Sequence, residues 1–207
     1  MYRKFFKRFL DVVLSFFAVV IFSPIFIILI IMGTIKMKGN PFFVQERVGK
    51  NEKVFKLLKF RSMTCEKDEN GKLLPDDVRL TQYGRFIRST SLDELPELIN
   101  ILVGDMGIIG PRPLLVSYLP WYTEIEKKRH NVRPGLSGLA QVNGRNFLSW
   151  DQRLAYDIKY VETFTFLEDI KIILKTIKKV MLREDLAIDT TKFETNLAEE
   201  RKNRNQL

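Results

Sequence analysis

The sequence predicts a helix-rich α/β protein: one membrane-embedded helix, a short β-hairpin and amphipathic helices around a single small domain. Three observations carry that prediction. An apolar run occupies Val12–Met32, β-prone runs flank a Gly-containing bend between Pro41 and Met63, and apolar residues recur at helical spacing in several later segments. The 207 residues suit one sizeable domain with an appendage, at roughly 150 residues per domain. A β/α barrel would need roughly 250.

The apolar run comes first. Of the 21 residues from Val12 to Met32, only Ser15, Ser23 and Pro24 are not apolar. At about 1.5 Å per residue, a straight helix there is about 32 Å long, close to the hydrocarbon thickness of a bilayer. A cleaved secretory signal fits poorly, because Gly33, Thr34, Ile35 and Lys36 follow without a small-residue cleavage site. Basic residues flank both ends: Arg3, Lys4, Lys7 and Arg8 before, Lys36 and Lys38 after. Positive flanks favour the cytoplasmic side. Pro24 removes a backbone donor near the middle, and Ser23 beside it can satisfy a freed carbonyl. The residues alone leave two readings open: a kinked single span, or a helix broken at Ser23-Pro24 that enters and leaves by one leaflet.

The remaining elements follow in order. FFVQERVG and VFKLLKFRSM form the two arms of a hairpin within Pro41–Met63. Thr64–Asp77 is polar and reads as a loop. Leu92, Leu95, Leu98, Ile99 and Leu102 make Thr90–Val103 one helix. Gly104–Pro113 reads as loop, Leu114–Asn131 as helix interrupted near Pro120, and Arg133–Arg145, with its glycines, as loop. Ser149 caps a helix to Val161. Phe166–Leu182 is a basic amphipathic helix whose apolar face holds Ile170, Ile173, Leu174, Ile177 and Met181. Packed on the core or laid on an anionic leaflet, it reads equally well. The chain thus divides into a membrane segment (1–38), a domain (39–183) and a polar tail (184–207).

Charge and composition limit the chemistry. Lys and Arg number 34 and Asp and Glu 25, a net charge of +9. That balance suits anionic lipid, phosphorylated ligands or nucleic acid. The single cysteine, Cys65, excludes an internal disulfide, and the single histidine, His130, excludes a two-His metal motif.

Ser91-Leu92-Asp93-Glu94-Leu95-Pro96 is the sharpest motif. It reads as a capping box, Ser91 at the N-cap and Glu94 three residues on. The alternative reading, second to the cap on the residues alone, is a catalytic dyad. A carboxylate can attack phosphorus to give an acyl phosphate, and a neighbouring carboxylate can hold Mg²⁺. An acid at a helix N-terminus is expected to stay ionised near neutral pH. Pro96 disturbs a regular first turn, so a local distortion exposing the dyad is expected. Five basic clusters stand out, four of them beside Gly or Pro: Lys59-Phe60-Arg61, Gly84-Arg85 with Arg88, Gly110-Pro111-Arg112-Pro113, Arg133-Pro134-Gly135 and Gly144-Arg145. Singly they are surface arginines at turns; together they suit a polyanionic ligand, since the guanidinium fork matches phosphate oxygens. Asp157 and Asp169 lie on helices, Asp157 as a solvated acid or one paired with Arg153 and Asp169 as an N-terminal helix acid, or both as parts of a site. His130 reads as a surface or supporting residue. No Walker or dinucleotide fingerprint is present.

These motifs, in this order, resemble the bacterial sugar transferase family, the monotopic phosphoglycosyl transferases. The resemblance runs from Arg8 to about Thr176. It rests on Ser23-Pro24, KFRSM (59–63), RLTQYGRFIRSTSLDELPELINIL (79–102), GDMGIIGPRP (104–113), VRPGLSGLAQVNGR (132–145) and YDIKYV (156–161). It implies a re-entrant helix broken at Ser23-Pro24 and a cytoplasmic α/β domain seated by interfacial helices on the bacterial inner membrane. The implied reaction moves a sugar 1-phosphate from a UDP-sugar to undecaprenyl phosphate, with Mg²⁺ as cofactor and release of UMP. By matching motif, Asp93 is the nucleophile that forms a phosphosugar intermediate and Glu94 the Mg²⁺ ligand. Arg112, Arg133 and Arg145 hold phosphates or nucleotide, supported by Lys59, Arg61 and Arg88. Asp157 and Asp169 take supporting or acceptor-side places. Larger members carry further hydrophobic spans; this sequence resembles the minimal form, like the enzymes that begin bacterial protein N-glycosylation with N,N'-diacetylbacillosamine phosphate. A UDP-N-acetylhexosamine derivative is the safer expectation for the donor. Expected partners are membrane lipid and downstream glycosyltransferases, with no nucleic acid. The alternative readings are a membrane-anchored basic binding or scaffold protein without catalysis, and a phosphotransferase that forms no covalent intermediate.

Overall fold

The computed structural model describes residues 1–144, 147–182 and 196–204. A π-helical turn at Tyr2–Phe6 leads into α1, Lys7–Lys36. Helical pairing continues through Pro24, where a break was predicted. The Ser23 hydroxyl donates to the Val20 carbonyl at 2.7 Å, which is the carbonyl that loses its i+4 donor when residue 24 is proline. Among the described residues α1 is the one helix long and apolar enough to cross a membrane.

One stripe of α1 is buried against the domain: Asp11, Ser15, Leu29 and Gly33, residues spaced about one turn apart within each half. The rest of its surface exposes Phe16, Phe17, Val20, Ile21, Ile27, Ile28, Ile31 and Ile35. Both halves touch the same domain. Near the start, the Arg8 guanidinium donates to the carbonyls of Ile101 (2.6 Å) and Leu102 (3.0 Å), and Asp11 accepts from the Ile108 amide at 3.0 Å. Near the end, Tyr83 Oη donates to the Leu29 carbonyl at 3.2 Å, and Leu29 and Met37 share a core with Phe60 and Ile87.

The hairpin forms as expected. β1 (Phe42–Val48) pairs antiparallel with β2 (Val54–Phe60), from Phe42 opposite Phe60 to Val48 opposite Val54. Three short helices follow it: α2 (Asp76–Arg79), α3 (Gln82–Ser89) and α4 (Glu97–Val103). The single helix predicted over Thr90–Val103 is interrupted. A 3₁₀ turn occupies Leu92–Glu94, and α4 begins only after Pro96, because proline lacks the amide that a continuous helix would require. Asn100 then fixes α4 to the hairpin: its side-chain amide donates to the Lys56 carbonyl (2.8 Å) and its oxygen accepts from the Leu58 amide (3.0 Å).

Both Gly-rich segments predicted as loops contain a short strand. β3 (Gly107–Ile109) and β4 (Gly135–Ser137) pair in parallel. A Cβ on Gly110 would lie 2.4 Å from the Arg133 carbonyl, so glycine there permits the close approach of the two segments. Between them run a 3₁₀ helix (Val116–Trp121), α5 (Glu124–Lys127) and a 3₁₀ turn (Lys128–Asn131); α6 (Leu139–Val142) follows β4. α7 (Trp150–Thr163) starts at Ser149 with a capping box completed by Gln152. α8 (Phe166–Leu182) buries Asp169 and Ile172, while Leu174, Ile177 and Met181 of its predicted apolar face are exposed.

The tail differs from expectation. Residues 183–195 lie outside the described residues, but Leu197–Arg204 form α9. Leu197 is fully buried beside Tyr118, Tyr122, Trp150 and Leu154. Arg201 adds bonds to Glu126 (2.6 Å) and Asp151 (3.0 Å).

Candidate active site

Four elements meet near the C-terminal end of β2. The 3₁₀ turn carries Asp93 and Glu94, β2 brings Lys59, the last turn of α3 brings Arg88, and the loop after β3 brings Arg112. Ser91 precedes the turn at φ 56°, ψ 18° and makes no capping bond. The capping box therefore does not form. A non-glycine residue in the left-handed region costs on the order of 1 kcal/mol, and such strain concentrates at functional sites.

Glu94 is instead turned toward cations. Its Oε1 accepts from Lys59 Nζ at 2.8 Å and from Arg112 Nη2 at 3.1 Å. Lys59 Nζ also lies 3.1 Å from Oε1 of Glu97, a buried acid (3% exposed) that the motif reading passed over. Glu97 sits on the inward side of the first turn of α4, and its signal in the sequence was only its place beside Pro96. Arg88 Nε donates to Ser62 Oγ at 2.9 Å. Gly84 permits this: a Cβ there would lie 1.8 Å from the Ser62 carbonyl, so α3 closes directly onto the strand end and Arg88 follows one turn later. Arg61 is half-buried, with no side-chain bond among the described residues.

Asp93 stays mostly ionised at neutral pH, as expected, but its carboxyl is raised rather than lowered. Burial, then the charge of Glu94, push its carboxyl up to about 6, against the opposing pull of Lys59, Arg88 and Arg112. A three-residue 3₁₀ turn supplies little helix dipole to offset desolvation. Glu97 is pushed up to about 7, again chiefly by burial.

Other expected site residues lie elsewhere. Arg133 Nε donates to the Gly104 carbonyl at 2.7 Å, at the opposite end of α4 from the dyad, where Arg8 also caps. Asp157 is buried and pairs with Arg129, not Arg153; Oδ2 accepts from Nε at 3.0 Å and Nη2 at 2.8 Å. Arg129 Nη2 also donates to the Arg112 carbonyl at 2.6 Å, so any influence of Asp157 on the site runs through Arg129. Asp169 is buried too, accepting from Tyr2 (2.5 Å), Lys7 (2.7 Å) and Tyr160 (2.7 Å); it clasps the start of α1 to α7 and α8. His130 is buried rather than exposed, and its pKa is lowered to about 4 by burial and then by Arg129. Arg145 lies outside the described residues. Sequence reasoning missed Glu97, Asn100 and Arg129, which are polar residues whose partners lie far away along the chain.

An apolar helix on a small α/β domain, with paired carboxylates facing cations, suits a membrane-associated protein that handles phosphate. Comparison with known proteins makes this specific. The bacterial sugar transferase family matches residues 2–183. The chain is 46% identical over 180 residues to the sugar transferase EpsL of Bacillus subtilis, covering 87% of this chain and 89% of that one. It is 39% identical over 199 residues to the undecaprenyl-phosphate galactose phosphotransferase of Salmonella typhimurium, covering 88% of this chain and 41% of that one. It is 37% identical over 184 residues to the UDP-glucose:undecaprenyl-phosphate glucose-1-phosphate transferase of Klebsiella pneumoniae, covering 84% and 40%. The chain belongs to the bacterial sugar transferase family and is an enzyme of the phosphoglycosyl transferase class.

Proposed function

We propose that this enzyme transfers a sugar 1-phosphate from a UDP-sugar to undecaprenyl phosphate at the cytoplasmic face of the bacterial inner membrane, releasing UMP. The observation that carries the reading is the Asp93–Glu94 pair on a strained turn, facing the cations Lys59 and Arg112. The names of the Salmonella and Klebsiella relatives support the donor and acceptor classes.

In the first step an Asp93 oxygen attacks the sugar-side phosphorus of the donor. A P–O acyl phosphate bond forms as the bond from that phosphorus to the UMP oxygen breaks, and UMP leaves with the electron pair. An oxygen of undecaprenyl phosphate then attacks the same phosphorus and displaces the Asp93 carboxylate. A carboxyl with a pKa near 6 is ionised at neutral pH and more basic than an ordinary aspartate, which suits a nucleophile. Lys59, Arg61, Arg88 and Arg112 offer fixed positive charge where phosphate charge develops.

The residues fit Mg²⁺ as an ion shared with substrate. No group of three or more His, Cys, Asp or Glu suited to a metal occurs among the described residues. Mg²⁺ is commonly held by one or two carboxylates plus substrate phosphates, which Glu94 and Asp93 can provide. When bound, it would neutralise charge on the phosphate oxygens.

We read α1 as re-entrant. Contacts of its first and last turns with one domain support this, since a helix along the membrane normal would carry one end about 30 Å away. The exposed apolar faces of α1 and α8 support seating at the lipid interface. For the donor sugar, the family resemblance suggests an N-acetylhexosamine derivative such as N,N'-diacetylbacillosamine, whereas relatives are named for galactose and glucose.

The test is UMP release by the detergent-solubilised protein with Mg²⁺, undecaprenyl phosphate and four donors: UDP-galactose, UDP-glucose, UDP-N-acetylglucosamine and UDP-N,N'-diacetylbacillosamine. Release with one donor, together with a phosphosugar adduct on Asp93, is expected. Turnover that survives Asp93→Asn would overturn the covalent mechanism.

A further inference from the structure

Lys59 is held by two carboxylates that differ in freedom. Glu94 is half-buried and also bonds Arg112. The side chain of Glu97 is 4% exposed, and its ion pair among the described residues is with Lys59. Lys59 is itself largely removed from water, its side chain 18% exposed. A buried ammonium that loses its counter-charge pays a desolvation penalty with nothing to offset it. If Glu94 were its sole partner, Lys59 would compete with any divalent ion for that carboxylate. Glu97 removes the conflict, because in its ionised form it neutralises Lys59 from the buried side, with its own side chain 4% exposed.

We propose that Glu97 is a positioning residue: it holds Lys59 in place and thereby frees Glu94 to bind a divalent ion together with the donor's pyrophosphate. The proposal rests on the reading of Glu94 as the ion ligand. It predicts coupling between Glu97 and metal affinity that passes through Lys59.

The experiment measures Mn²⁺ binding in the presence of UDP by electron paramagnetic resonance on the full chain in detergent. The Mg²⁺ dependence of UMP release is followed in parallel. Wild type is compared with Glu97→Gln, Glu97→Asp, Lys59→Met and the Lys59→Met/Glu97→Gln double variant. Glu97→Gln should weaken Mn²⁺ binding about tenfold and raise the Mg²⁺ needed for half-maximal turnover similarly. The donor KM should change by less than about threefold. Glu97→Asp should restore most of the Mn²⁺ affinity, because it keeps the charge. Lys59→Met should bind Mn²⁺ at least as tightly as wild type, and adding Glu97→Gln to it should change nothing further, the signature of a coupled pair.

Unchanged Mn²⁺ affinity in Glu97→Gln would overturn the proposal, as would an equal loss in the Lys59→Met background or no Mn²⁺ binding by wild type. Should Glu97→Gln fail to fold, weaker Mn²⁺ binding by Lys59→Met would overturn it instead. The outcomes separate the two readings. The expected Mn²⁺ pattern without UMP release from any donor leaves this inference standing and removes the proposed reaction. Normal turnover with Mn²⁺ affinity indifferent to Glu97 does the reverse.

Discussion

The main-chain oxygen of Arg112 lies 2.6 Å from Nη2 of Arg129, so a buried arginine fixes the backbone of the arginine that bonds Glu94. Arg129 is held in turn by Asp157. Removing one partner of a buried ion pair costs about 3–5 kcal/mol. Asp157→Ala should therefore lower the melting temperature by roughly 6–20 °C, at about 2–4 °C per kcal/mol for a chain of this size. Well below that temperature, donor KM should rise as Arg112 loses its fixed backbone. A thermal scan of the detergent-solubilised variant showing a drop under 3 °C would count against the pair as a support.

Asp93→Asn should reduce UMP release by roughly a thousandfold or more without destabilising the fold. The native carboxylate is half-buried beside Glu94, and the amide removes that repulsion. The melting temperature at pH 7.5 should be equal to or above that of wild type. A clear loss of stability would point to a structural role for this side chain.

The raised values at Asp93 (about 6) and Glu97 (about 7) set two pH dependences of opposite sign. Ordinary values are about 3.9 and 4.3, so between about pH 4 and 7 the folded chain holds protons that the unfolded chain releases. Stability contributed by these groups is complete below pH 4 and is lost as pH rises through 6 to 7. Activity runs the other way: UMP release at subsaturating donor should climb through about pH 6 as Asp93 ionises. Raising Mg²⁺ should move the midpoint lower. Melting temperature and rate, measured across pH 5–8, should show these opposing slopes, and Asp93→Asn should flatten part of the first.

Ser91 holds a left-handed backbone with φ 56°. Ser91→Gly should relieve on the order of 1 kcal/mol of strain, raising the melting temperature by about 2–4 °C. Ser91→Val should lower it and cost activity, because a β-branched side chain resists that conformation and would reshape the turn under Asp93. Equal stability of the two variants would argue against strain at this position.

Leu197 is fully buried although it belongs to a tail of polar composition. Leu197→Ala should undock α9 at a cost near the lower end of the about 2–5 kcal/mol seen for such truncations, since a terminal helix can detach from the rest. Trypsin should then cut at Arg201 much faster than in wild type, where that side chain is bonded to Glu126 and Asp151. Unaltered cleavage would mean that Leu197 does not hold the helix.

The local parts of this protein were legible in its residues. The apolar run of α1, the alternating arms of β1 and β2, the Ser149 cap of α7 and the span of α8 each follow from short-range pattern and backbone chemistry, which need no distant partner. The motif holding Asp93 and Glu94 was visible for the same reason, as were Arg112 between its prolines, Arg88 one turn after Gly84, and Lys59 in its basic strand. Tertiary structure decided what those residues touch. Ser91 could cap a helix by sequence, yet Glu94 pairs with Lys59, 35 positions away, and the turn stays open. Asp157 turned from its local neighbour Arg153 to Arg129, 28 positions away, because burial demands a full counter-charge. Glu97 carried no motif, and Leu197 sat in a polar tail; only packing removed them from water. The sequence by itself determined the longer elements and the candidate reactive groups. Which groups lost their water, and which charges they met once dry, was set by the assembled fold, since desolvation and ion pairing depend on neighbours brought together across the chain.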